Sequence, residues 1–240
     1  MTDQTAAPRA RGAARARAVE PALAPRVQGT VRIVGAGLLG SSIGHALTAR
    51  GIDVALDDTS PSQLRLAVDY GAGRPAGKDD DPTLIVVAVP PDVTAAVIER
   101  ELTLFPQAVV TDVASVKSGI LADLEASGAD LSRYVGSHPL AGRERGGAIS
   151  ARADLFIGRP WVITGSGVGR RAVEDLVLDL GAVPVAMTAD EHDASVALVS
   201  HVPQVVSTLL ARRLSGAPDP ADSLSASSSG LADGCKSRPG

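Results

Sequence analysis

Thr30-Val31-Arg32-Ile33-Val34-Gly35-Ala36-Gly37-Leu38-Leu39-Gly40 decides the fold. A β-branched run passes directly into glycines spaced G-x-G-x-x-G, and Leu39 to Arg50 then carries helical spacing closed by Gly51. Strand, glycine turn and helix, in that order, form the opening unit of a dinucleotide-binding sheet. Gly35 permits the tight turn, Gly37 lets the backbone approach a pyrophosphate, and Gly40 allows close packing of the helix. Leu38 and Leu39 stand at the helix N-terminus, where backbone N–H groups and the helix dipole favour phosphates.

An acidic residue about 20 positions further on should receive the adenosine ribose hydroxyls. Asp57 and Asp58 both qualify, and Asp58 stands at the very end of the second strand, Asp53 to Leu56 with its flanking acids. Thr59 follows rather than an arginine, so no cation awaits a 2′-phosphate, which favours NAD over NADP.

Outward from this unit, strand and helix alternate. Ser60 can cap a helix that runs to Tyr70, with Pro61 in its first turn. Thr83 to Val89 is nearly all apolar, as a central parallel strand covered on both faces must be. A helix over Val93 to Glu101, a strand over Ala108 to Thr111 and a helix over Val116 to Leu124 follow. Tyr134 to Gly136, Trp161 to Thr164 and Val183 to Met187 read as strands, with a helix over Arg171 to Leu180. The expected fold is α/β: a Rossmann-type, mostly parallel sheet over 29–188, preceded by a disordered tail over 1–28. From 189 the pattern becomes helical. Val196, Val199, Val202, Val206 and Leu209 share one face of a helix reaching about Leu214 and kinked at Pro203. Such a stripe needs a second helical domain or a second subunit to cover it.

Composition narrows the function classes. Aromatic residues make up 2% of the chain, so the core is aliphatic, and the net charge of −4 gives no support to nucleic-acid binding. No apolar run is long enough to span a bilayer, and the first residues lack the apolar core of a secretory signal. Cys235 is the single cysteine, which fits a reducing, cytoplasmic setting.

Two further stretches suggest chemistry. Asp112-Val113-Ala114-Ser115-Val116-Lys117 lies between a strand and a helix, where ligands bind in open α/β sheets. Ser115 there can face a nicotinamide, bond a catalytic histidine or simply cap the helix; Lys117 can attract an anionic substrate or be solvated. Gly136-Ser137-His138-Pro139-Leu140-Ala141-Gly142 puts His138 just past a sheet strand, with Pro139 holding its backbone extended. A histidine works as a proton acceptor near pH 7, so His138 is the candidate general base. His192 and His201 flank the long helix without metal-site spacing, and His201 is a candidate for the substrate pocket.

As an ordered set these pieces resemble the prephenate/arogenate dehydrogenase family of tyrosine biosynthesis. The matching stretches are Val34 to Ser42, Asp112 to Lys117, Ser137 to Gly142, Ala153-Asp154-Leu155-Phe156 with Pro160-Trp161, Glu191-His192-Asp193 and Ser200-His201-Val202-Pro203. The resemblance covers about 30–215 and implies a homodimer joined by an all-helical domain. It implies that NAD takes a hydride from the ring carbon bearing the 4-hydroxyl while His138 accepts the hydroxyl proton. Loss of the ring carboxylate as carbon dioxide then gives an aromatic product. Ser115 would orient His138 and the nicotinamide. The first reading is an NAD-dependent prephenate dehydrogenase, with arogenate as the close alternative substrate, since the residues that read the side chain are not identifiable. A β-hydroxyacid or imine reductase is a second enzyme class with similar architecture, but it would place a lysine or carboxylate where this chain has His192 and His201. A nucleotide-binding protein without turnover is a third reading. The family's helical domain also supplies an arginine for a substrate carboxylate; Asp219 to Gly240 shows no such helices and Arg238 does not match. The expectation is therefore an incomplete helical domain over 189–240, shortened by truncation or a frame change near Leu224, with cofactor binding better preserved than catalysis.

Overall fold

A computed structural model describes residues 24–142 and 146–198. The first half alternates as the pattern requires: β1 (Thr30–Val34), α1 (Leu38–Thr48), β2 (Val54–Asp57), α2 (Pro61–Asp69), β3 (Arg74–Pro75), β4 (Pro82–Val87), α3 (Pro91–Leu104), β5 (Val109–Asp112) and α4 (Ser118–Ser127). The second half comprises β6 (Tyr134–Val135), β7 (Ser137–Pro139), β8 (Pro160–Thr164), α5 (Arg170–Asp179), β9 (Val183–Met187) and α6 (Ala189–Val196). Six strands form a wholly parallel sheet in the order β3-β2-β1-β4-β5-β6. Chain order reverses between β1 and β4, which opens a crevice at their carboxyl ends.

The apolar runs are explained by burial on both faces. Ile33, Leu84 and Val86 face one core with Ile43, Leu47, Leu56 and Leu176. Val34, Ile85 and Val87 face the other, with Ile98, Leu102, Ile120 and Leu124. Burying each large aliphatic side chain contributes about 1.5–3 kcal/mol, and this two-sided packing is what holds the strand ends in place. Phe156 and Trp161, both fully buried, lie with ring centroids 5.1 Å apart in the first core.

Helix starts follow local chemistry. The Ser60 hydroxyl accepts a bond from Gln63 N–H and Pro61 opens α2, as expected. At α6 the Thr188 and Glu191 side chains cap each other's backbone N–H groups. α4 begins at Ser118 rather than at Val116, because the Asp193 carboxylate takes the Lys117 and Ser118 N–H groups and sets the first turn there.

The sheet departs from expectation after β6. Instead of one mostly parallel sheet, the chain pivots at Gly136 into a second, three-stranded sheet, β7-β8-β9, in which β7 and β8 are antiparallel. A Cβ on Gly136 would come within 2.6 Å of Thr164 Oγ1, so a side chain at this pivot would have to displace Thr164. β3 was also not expected. It is a two-residue edge strand containing Pro75, and it is pinned by Arg74 to Asp53 and Asp80. At the start of the described chain, Arg26 and Val27 donate their N–H groups to Asp179 Oδ2, and Val27 is buried. Beyond Leu198, the expected helical stripe, Pro203, His201 and Cys235 lie outside the described residues. Among the described residues no helix is long and apolar enough to cross a membrane.

Candidate active site

The glycine loop connects β1 to α1 at the crevice. Gly35 has φ +104°, and a Cβ there would collide with the Ala88 carbonyl that ends β4. A Cβ on Gly40 would run into the Gly35 carbonyl oxygen. Gly37 is different: its Cβ position meets nothing within 4 Å, so the loop is open on that side. Gly37 is also the N-cap of α1 and provides no side-chain cap, which leaves the first-turn N–H groups at Leu38, Leu39 and Gly40 directed at that open space. A tight turn, an open backbone and an uncapped helix start fit a dinucleotide pyrophosphate.

Asp58 lies beside this loop. Its Oδ2 accepts the Ala36 N–H at 2.7 Å and its Oδ1 accepts the Ser60 N–H at 2.7 Å. Asp57 is occupied elsewhere: Arg32 reaches it at 2.5 Å and reaches the fully buried Glu101 at 2.9 Å. Of the two candidate acids, Asp58 is therefore the one whose carboxylate borders the glycine loop.

A second polar cluster forms where β5 ends and the chain passes from β6 into β7. The buried Asp112 carboxylate accepts bonds from Ala114 N–H at 3.0 Å, Tyr134 O–H at 2.8 Å and Ser137 N–H at 3.3 Å, and it pairs with the Lys117 ammonium. Lys117 is thus neither solvated nor free to attract substrate, the two roles expected of it; it is a buried partner of Asp112. Burial lowers its pKa and Asp112 opposes that shift. Burial and the Asp112 charge both push the Tyr134 phenol well up, so it remains a neutral donor.

His138 projects from β7 next to this cluster. Its Nδ1 lies 2.8 Å from Nε2 of His192, with the two rings nearly perpendicular at 82°. His192, 1% exposed on α6, places its own Nδ1 2.7 Å from Asp193 Oδ1. Burial would raise the Asp193 carboxyl, but the Ser118 N–H, His192 and the Lys117 N–H outweigh it and hold the group below its usual range. Burial, reinforced by His192 and Lys117 and opposed by Asp193, pushes His138 down to about 4. The ring is therefore neutral at pH 7 and able to accept a proton.

Ser115 is exposed in the β5–α4 loop. Among the described residues it makes no hydrogen bond to His138, and it does not cap α4, whose N-cap is Lys117. The partner of His138 is His192, which spacing could not identify because 54 positions separate the two. The only hint was the Glu191-His192-Asp193 triplet at a helix start. A cavity of about 420 Å³ lies behind Lys117 and Tyr134, towards the Gly165–Gly167 turn, and His138 does not line it.

The sequence pattern of the family described as "Prephenate dehydrogenase, nucleotide-binding domain" matches residues 43–187. A probable prephenate dehydrogenase, NovF, from Streptomyces niveus is 44% identical over 193 residues, 78% of this chain and 53% of that protein. The prephenate dehydrogenase of Bacillus subtilis is 27% identical over 199 residues, 77% of this chain and 53% of that protein. This chain thus spans about half the length of these relatives. Among solved structures, prephenate dehydrogenase from Aquifex aeolicus in complex with hydroxyphenyl propionate and NAD+ superposes with a TM-score of 0.73 at 27% identity. The overlap covers 81% of this chain and 72% of that one. Synechocystis arogenate dehydrogenase superposes with a TM-score of 0.69 at 28% identity, over 85% of this chain and 76% of that one.

Proposed function

The chain belongs to the prephenate dehydrogenase family, and on that premise we propose that it catalyses the NAD-dependent oxidative decarboxylation of prephenate to 4-hydroxyphenylpyruvate, in tyrosine biosynthesis. The observation that carries this proposal is His138, a neutral imidazole on β7, which follows the carboxyl end of β6 in the parallel sheet whose β1 runs into the glycine loop. Gly35, Gly37, Leu38, Leu39 and Gly40 hold the pyrophosphate and Asp58 the adenosine ribose. NAD, once bound, supplies the acceptor for the hydride on the ring carbon that bears the hydroxyl.

His138 takes the hydroxyl proton as the C–O bond becomes a carbonyl. The bond to the ring carboxylate then breaks, carbon dioxide leaves, and the electron pair enters the ring. His138 returns its proton to the resulting phenolate oxygen, so the cycle releases no net proton. Ser115, exposed in the β5–α4 loop, contacts the nicotinamide and the substrate, and His201 is assigned to substrate binding. A homodimer and a cytoplasmic setting complete the proposal.

The test is NADH formation by the purified 240-residue chain supplied with NAD and either prephenate or arogenate. Turnover of prephenate supports the proposal. Preference for arogenate, the substrate named for the Synechocystis relative, reassigns the substrate. NAD binding without turnover of either would reduce the function to nucleotide binding.

A further inference from the structure

We propose that His192 and Asp193 are positioning residues that fix the tautomer of His138, so that its Nε2 carries the lone pair offered to the substrate hydroxyl. This rests on the assignment of His138 as the general base. Asp193 is pinned at both oxygens, Oδ1 by the Lys117 N–H at 2.9 Å and Oδ2 by the Ser118 N–H at 2.8 Å. A carboxylate so held can only accept, so the 2.7 Å contact at Oδ1 requires a proton on His192 Nδ1. With one proton on each ring, His192 Nε2 is then a bare acceptor. The 2.8 Å contact between the rings in turn requires the proton of His138 to sit on Nδ1. Nε2 is left as the free basic nitrogen. The direction of the whole chain is set by two backbone N–H groups at the start of α4, and the buried His192 transmits it.

The arrangement also handles the charge that develops. When the substrate O–H bond breaks and an N–H bond forms at Nε2, His138 becomes an imidazolium that the Lys117 ammonium disfavours and the Asp193 carboxylate, held behind His192, favours. The carboxylate offsets a repulsion that would otherwise slow the transfer. The same logic, an acid holding a histidine in one tautomer and orientation, operates in hydrolytic triads, with one imidazole fewer.

The chain has four histidines, so ¹⁵N-resolved NMR of the imidazoles can be assigned with a His138→Asn reference. The expected spectrum shows His138 and His192 both protonated at Nδ1 and bare at Nε2. In His192→Ala, His138 should move to a mixed or Nε2-protonated population, and kcat should fall on the order of tenfold to a hundredfold with KM little changed. In His192→Gln, whose amide oxygen can accept the same bond, the Nδ1-protonated form and most of kcat should return. A purely structural role would not produce this pattern of loss and rescue. Protonation of His138 at Nε2 in the unmodified chain would overturn the proposal, as would a tautomer unaffected by His192→Ala. If His192→Ala does not fold, the unmodified chain and His192→Gln still decide. The NMR readout does not depend on turnover, so it stands apart from a failure of the assigned reaction.

Discussion

At the residue scale the account depends on the environment of single side chains. His138 has an ordinary pKa of 6.5 that falls to about 4 in the fold. If His138 is the proposed base, it stays competent down to about pH 4, and the acid limb of kcat/KM should lie near 4; a limb near 6.5 would contradict this. Because the folded value is depressed, the unfolded chain binds more protons in that interval. The stability this histidine contributes is complete above pH 6.5 and is lost as pH falls through 4, which acid titration of the melting temperature would register. Asp58 makes a separate prediction. Asp58→Asn should weaken NAD binding about tenfold to a hundredfold, as expected for a bond to a charged acceptor, with fluorescence titration as the measurement. Several candidate site residues carry a local signal in the sequence: His138 in its place after a strand, the glycines in their spacing, and Asp58 in its distance along the chain. The Asp112–Lys117 pair and the His138–His192 contact carry no such signal, since nothing in a local pattern says that a lysine after a strand turns inward or which distant histidine meets β7.

At the scale of elements, periodicity located most strands and helices because two-sided burial requires continuous apolar runs such as Thr83 to Val89. It missed β3, where two residues and a proline carry no period, and it missed the division of the sheet, where a single glycine lets the chain change partners. The glycine loop is the element most sensitive to substitution. Gly35→Ala combines a left-handed φ with a collision against the Ala88 carbonyl. It should destabilise by about 1–3 kcal/mol and lower the melting temperature by several degrees, with loss of NAD binding. An unchanged melting temperature would mean the β1–β4 approach is looser than described.

At the scale of the whole molecule, buried charges join elements that apolar packing alone would leave free to shift. Glu101 on α3 has no exposed side-chain surface and accepts from Arg32 on β1, which also reaches Asp57 at the end of β2. Glu101→Ala leaves Arg32 with part of its compensation gone, and breaking such a pair costs about 3–5 kcal/mol. Denaturant unfolding should show a loss of this order, and a loss below about 1 kcal/mol would assign Arg32 to Asp57 alone. α6 links the second sheet to the start of α4, since its His192 meets His138 on β7 and its Asp193 accepts the Lys117 and Ser118 N–H groups. The most direct test of the account compares NADH formation from prephenate and NAD by the unmodified chain and by His138→Asn, with nucleotide binding measured on both. The account predicts turnover by the first, a fall in kcat on the order of a hundredfold to ten-thousandfold in the second, and equal NAD binding. Retention of kcat in His138→Asn would contradict it.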